Sequence, residues 1–158
     1  LIQSITNKVL GGDKKLGIET TSDLHKYTKK DLIRDVKDNT YCYKLIHTDK
    51  QTVYSSRPHK FQEGYKVFLS TTGKWNVFID SCGMTQSIAF IRVNDKKEAE
   101  QIKKVLEHPI YSFINNICRW GNFNCLRILQ RMSFPKDIND IYKSFEITDD
   151  EIKFIESI

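Results

Sequence analysis

The chain has no stretch approaching the roughly 20 consecutive apolar residues of a membrane span, and no signal peptide. Its four cysteines and four histidines form no Cys-x-x-Cys or His-x-x-x-His pair, and the Cys118/Cys125 gap is wrong for a zinc knuckle. No metal ligand set is expected, and the thiols read as free ones kept reduced in a cytoplasmic setting. The seven glycines are scattered, and Gly11-Gly12 is followed by Asp-Lys-Lys rather than by a helix behind a strand. No Walker sequence, Gly-x-Ser-x-Gly elbow or His-Glu-x-x-His motif occurs. Asp149-Asp150-Glu151 stands at a helix start, where dipole compensation explains it better than metal binding. No catalytic, cofactor-binding or metal-binding residue is therefore expected. An initiating Met is also missing, which is read as the mark of a piece of a longer chain.

What is present suits one folded domain. Hydrophobic residues make up 39% of the 158, with nine Phe, seven Tyr and two Trp, enough for a core and against disorder. The formal net charge of +5 attracts phosphate or other anionic surfaces, and its distribution says more than its sum. From Arg57 to Val77 stand Arg57, Lys60, Lys66 and Lys74 against Glu63 alone, whereas from Pro135 onward three Lys face seven acids.

Patterning predicts an α+β fold: a compact antiparallel or mixed sheet followed by a helical half. Residues 1–40 are poorly patterned and read as a linker with one short helix over Leu24 to Val36. Residues 41–93 are β-rich. Short runs at Tyr41–His47, Gln51–Tyr54, Tyr65–Ser70, Trp75–Ile79 and Ser87–Val93 carry branched and aromatic residues between turn signals. Residues 94–158 are helical. Asn94-Asp95 caps Lys96–Glu107, Pro109 resets the chain before Ile110–Cys118, and Phe123–Met132 ends before Pro135. Thr148 with Glu151 forms a capping box for the last helix.

Three polar-aromatic clusters remain: Arg57-Pro58-His59-Lys60, Ser70-Thr71-Thr72-Gly73-Lys74-Trp75-Asn76, and Arg119-Trp120-Gly121-Asn122-Phe123-Asn124. Lysines suit phosphate, while Thr and Asn suit base edges. A solvated turn with an anchoring aromatic is the plain alternative for each.

The run Lys66-Val-Phe-Leu-Ser-Thr-Thr-Gly-Lys-Trp-Asn-Val-Phe-Ile-Asp-Ser-Cys-Gly-Met-Thr-Gln-Ser-Ile-Ala-Phe-Ile91 resembles the target-recognition region of N6-adenine DNA methyltransferases of restriction–modification systems. Glu98 to Leu106, Pro109 to Asn116 and Arg119 to Phe123 look like its helical half, and Tyr142 to Phe145 with Thr148 to Ile155 is similar to the way such enzymes end. The resemblance covers about residues 40–158. It implies double-stranded DNA as partner, and a catalytic domain N-terminal in the parent chain that binds S-adenosylmethionine and carries an Asn/Asp-Pro-Pro-Tyr/Phe tetrapeptide. Asn115-Asn116-Ile and Asn139-Asp140-Ile lack the prolines, so no methylation is expected of these residues alone.

The resemblance and the local chemistry together point to Lys60, Thr71, Thr72, Lys74, Trp75 and Asn76 as DNA-facing, followed by Gln86, Arg119, Trp120 and Asn122. Lys60 and Lys74 would hold phosphates. Thr72, Asn76 and Gln86 would read base edges, and Trp75 would pack on a sugar or an exposed base. The alternative is a domain whose exposed aromatics and acidic C-terminal helix dock a partner protein. A metal-dependent nuclease is the third reading, with no carboxylate pair placed for it.

Overall fold

The computed structural model describes residues 1–119 and 126–157, and the fold is α+β. Two compact units divide the chain. Unit 1 takes Leu1–Gly17 together with Lys104–Ile158, and unit 2 is the continuous span Ile18–Lys103. Among the described residues no helix is long and apolar enough to cross a membrane.

Unit 2 holds seven strands: β1 (Ile33–Arg34), β2 (Tyr43–Ile46), β3 (Thr52–Ser55), β4 (Lys66–Ser70), β5 (Val77–Asp80), β6 (Gly83–Met84) and β7 (Ile88–Arg92). They form two sheets, ordered β1-β3-β2-β6 and β5-β4-β7. All pairings are antiparallel except β2 with β6, which sets Leu45 beside Gly83 and Ile46 beside Met84. A side chain at Gly83 would collide with Leu45 and His59, so only glycine permits this close approach.

Successive side chains of a strand point to opposite faces, and β2 shows the consequence. Ile46 joins Phe68, Met84, Ile88 and Phe90 in one core cluster, while Leu45 joins Leu24, Ile33 and Val53 in another. Both faces of the first sheet are covered, which is why adjacent apolar residues are both buried. β4 is the middle strand of its sheet and buries all five residues.

Unit 1 is helical. Helix α1 (Ile2–Leu10) buries Ile5, Val9 and Leu10. It is joined by α3 (Pro109–Cys118), α4 (Leu126–Arg131), α5 (Ile141–Ser144) and α6 (Asp149–Glu156), while α2 (Lys96–Leu106) contains the division between the units. Residues 14–16 bond to 132–134 through Leu16 N–H to Met132 O (3.1 Å) and Phe134 N–H to Lys14 O (2.7 Å). The Lys8 ammonium meets the buried Glu151 carboxylate at 2.6 Å. Burial pushes that carboxyl up, but hydrogen bonds from Lys8, the Thr148 amide and Ser4 outweigh it and hold the pKa at about 2. Thr148 and Glu151 complete the expected capping box.

Residues 1–40 differ from expectation. The helix expected over Leu24 to Val36 is absent: that segment holds one 3-10 turn at Lys30–Leu32 and the strand β1. Its apolar residues Leu24 and Ile33 are drawn into a sheet core, so tertiary packing overrides a weak helical period. The helix lies instead at Ile2–Leu10, and residues 18–40 pack as part of unit 2.

Candidate nucleic-acid interface

The antiparallel pairings set the C-terminal end of β2 beside the start of β3, and that of β4 beside the starts of β5 and β7, and the two turns share one cleft. Three loops meet at this end of unit 2. In the β4–β5 loop, the Ser70 N–H donates to Asn76 O (3.1 Å), and the Ser70 hydroxyl donates to Lys74 O (2.9 Å) while accepting from the Asn76 N–H (3.1 Å). Gly73 turns the loop at φ +70, a conformation that L side chains resist. The Thr71 hydroxyl donates to Ser87 O at 2.7 Å, tying the loop to the start of β7.

The β2–β3 turn lies alongside. His47 and Thr48 N–H groups both donate to Gln51 O, and the Asn76 side-chain amide donates to Asp49 Oδ2 at 3.3 Å. Between the two turns runs an open cleft of about 510 Å³, lined by Thr48, Asp49, Lys50, Thr72, Gly73, Lys74, Trp75 and Asn76. Lys50, Lys74 and Asn76 are exposed, and Trp75 is half-buried.

The third element is the strap before β1. Gln86 accepts the Lys26 N–H at Oε1 (2.9 Å) and donates from Nε2 to the Ser87 hydroxyl (2.9 Å). The next residue, Tyr27, is 66% exposed and sets its ring edge-on to His25 (5.9 Å) and His47 (6.3 Å). His47 is buried, with Nδ1 2.7 Å from the Thr85 hydroxyl. Burial first, and then the Lys26 charge, push its pKa below the usual histidine value, which favours the neutral ring.

Of the residues singled out from sequence, Thr71, Thr72, Lys74, Trp75, Asn76 and Gln86 come together here. The amide of Gln86 is engaged in holding the strap, and the Thr71 hydroxyl in holding Ser87. Lys60 does not join them. It sits at the other end of β4, with its ammonium 5.0 Å from the centre of the Phe61 ring. Arg119 belongs to unit 1, is half-buried, and its buried Nε has no hydrogen-bond partner among the described residues. Trp120 and Asn122 lie outside the described residues. Sequence reasoning passed over Lys26, Tyr27 and Lys50. The basic-aromatic run Lys26-Tyr27-Thr28-Lys29-Lys30 was the available signal.

The far end of β4 is organised differently. Arg57 pairs with Asp23 at 3.3 Å, and the Lys60 N–H donates to the same carboxylate at 2.9 Å. Lys66, 1% exposed, donates its ammonium to the carbonyls of Phe61, Glu63 and Cys82, and burial lowers its pKa. His59 accepts the Phe61 N–H at Nδ1, and among the described residues its buried Nε2 has no hydrogen-bond partner. Burial holds its pKa down to about 4.

Unit 2 carries 15 Lys and Arg against 11 Asp and Glu, while unit 1 carries 10 against 9, so most of the positive excess is in unit 2. No described glycine stands between a strand and a following helix, and these residues do not fit a nucleoside cradle for S-adenosylmethionine. No protein-family model, curated protein or solved structure matches the chain.

Proposed function

We propose that unit 2 binds double-stranded DNA through the end bearing the Thr72–Asn76 cleft, as the sequence-recognition part of an N6-adenine DNA methyltransferase of a restriction–modification system. In this reading the catalytic domain and its S-adenosylmethionine belong to the N-terminal part of the parent chain, working in the cytoplasm. The observation that carries the proposal is the convergence of the two turns and the strap on one end of the sheets. There, ammonium, hydroxyl, amide and indole groups line a single solvent-open cleft.

The chemistry divides by residue. Lys50 and Lys74 neutralise phosphates, a sequence-independent attraction that positions the duplex. Thr72 presents a hydroxyl to base edges, and Asn76 the part of its amide that the bond to Asp49 leaves. Trp75 packs on sugar or base. Gln86, assigned to base reading from sequence, acts instead by anchoring the Lys26 amide. The target adenine is turned out of the stack into the catalytic domain's pocket while these residues hold the flanking duplex.

The test is fluorescence anisotropy with duplex DNA across a salt series, joined to a binding selection from random duplexes with the full-length parent. Binding that weakens steeply with salt, with a slope reduced by about one for each lysine removed, supports the proposal. Binding that ignores salt, or a Lys50→Ala/Lys74→Ala variant with unchanged slope and affinity, overturns it.

A further inference from the structure

Tyr27 is not an ordinary surface tyrosine. Two-thirds of it faces solvent, yet its setting is fixed: its own N–H and that of Thr28 both point to His25 Nδ1 (3.2 and 3.3 Å), and the preceding N–H is held by Gln86. The imidazole rings of His25 and His47 stand steeply to the phenol ring, at interplanar angles of 65° and 76°. An exposed aromatic usually keeps its rotamer freedom, and ordering it on binding costs affinity. Much of that ordering is already present here.

The surroundings define what would cover the ring. From His25 to Leu32 the strap carries Lys26, Lys29 and Lys30 against Asp31, and Asp35 beyond it faces Lys26 at 3.9 Å. His47, against which the ring packs, leads directly into Thr48-Asp49-Lys50 of the cleft. A fixed ring among cations suits a flat, electron-rich partner attached to an anionic backbone, and base–aromatic stacking has that chemistry. Within a closed duplex the faces of the bases are covered by their neighbours. The ring therefore suits a base that has left the stack.

We infer that Tyr27 is a stacking platform for an unpaired nucleobase of bound DNA, held in place by His25, His47 and the Gln86 anchor. This rests on the DNA-binding proposal and adds to it a preference for duplexes carrying an unstacked base. The exposed Lys29 takes an adjoining phosphate, and the phenol face takes the base.

The experiment uses the full chain and two 20-mer duplexes of identical sequence. In one, a central 2-aminopurine is paired with thymine; in the other it faces an abasic site. Anisotropy gives the two affinities, and 2-aminopurine emission reports stacking. The expected result is tighter binding of the unpaired duplex by about tenfold, within the range of one base–aromatic stack, with quenched emission. Tyr27→Ala abolishes the preference and the quenching, and Tyr27→Phe keeps them. Equal binding of the two duplexes by the wild-type chain overturns the inference and leaves the DNA-binding proposal standing. So does a Tyr27→Ala variant that keeps the preference. Failure to bind either duplex at low salt overturns both. Because Tyr27 is largely exposed, its replacement leaves the fold intact, which a far-UV spectrum checks.

Discussion

The two ends of β4 carry similar residue types and use them in opposite ways. At the Lys66 end, the guanidinium of Arg57 is committed to Asp23, the Lys66 ammonium to three carbonyls, and Arg92 to Glu19 at 2.8 Å. At the Ser70 end, backbone groups are satisfied by the side chains of Ser70, Thr71 and Gln86, while Lys50, Lys74 and the Tyr27 ring face solvent. Five residues of strand, about 13 Å, separate a structural cluster of charge from a displayed one. Local cation counts do not locate an interface. What distinguishes the two ends is whether the cations have internal work.

The largest effect expected from breaking this contrast is at Lys66. Lys66→Ala leaves three carbonyls without their donor, and a loss of about 3 kcal/mol or more is expected in urea unfolding. A variant as stable as the parent would mean that water replaces the ammonium. Acid is the next probe of the same end. His59 titrates near 6.5 when unfolded and at about 4 when folded, because burial disfavours its charged form. Between those values the unfolded chain binds the additional proton. Stability from this group is intact above pH 6.5 and falls as pH drops toward 4, by at most about 3 kcal/mol. Urea midpoints at pH 7.5 and 4.5 measure the loss, and His59→Gln should flatten this part of the profile.

Under the proposed function, the Ser70 end answers mainly to binding. Lys50→Ala/Lys74→Ala should weaken all duplexes alike, about tenfold, and lower the salt slope by about two, with urea midpoints unchanged. Gln86→Ala frees the Lys26 amide, at a cost of about 1 kcal/mol in stability, and hydrogen exchange at Lys26 should accelerate. The smallest effect is expected at Lys60. If the duplex is held at the cleft, Lys60→Ala changes affinity by less than about twofold, because no counterion is released there. A loss equal to that of Lys74→Ala would place DNA along the whole of β4.

Much of unit 2 was legible because its strands are short runs of branched and aromatic residues. Tyr43–Ile46, Thr52–Ser55, Lys66–Ser70, Val77–Asp80 and Ile88–Arg92 all fall within predicted runs, give or take one residue at an end. The helices with caps or proline starts, Lys96–Leu106, Pro109–Cys118 and Asp149–Glu156, were equally visible. The division into two sheets was not, because nothing local says that β4 pairs with β5 and β7 rather than with β2 or β3, and β6 is only two residues long, its place beside β2 set by the absence of a side chain at Gly83. The loop Thr71–Asn76 stood out by its residue types. Its neighbours at Lys26 and Tyr27 did not, since nothing local announces that Gln86, 60 residues later, captures the Lys26 amide.

Unit 1 is made from two stretches of chain separated by 86 residues. Bringing such distant stretches together from a flexible chain costs roughly 4 kcal/mol of closure entropy, using (3/2)RT ln n. Glu19 and Phe90, near the two boundaries of unit 2, exchange backbone hydrogen bonds of 2.8 and 2.9 Å. Once that pair forms, most of the intervening span no longer contributes to the closure. Folding of the inserted β region therefore shortens the loop that the helical unit has to close.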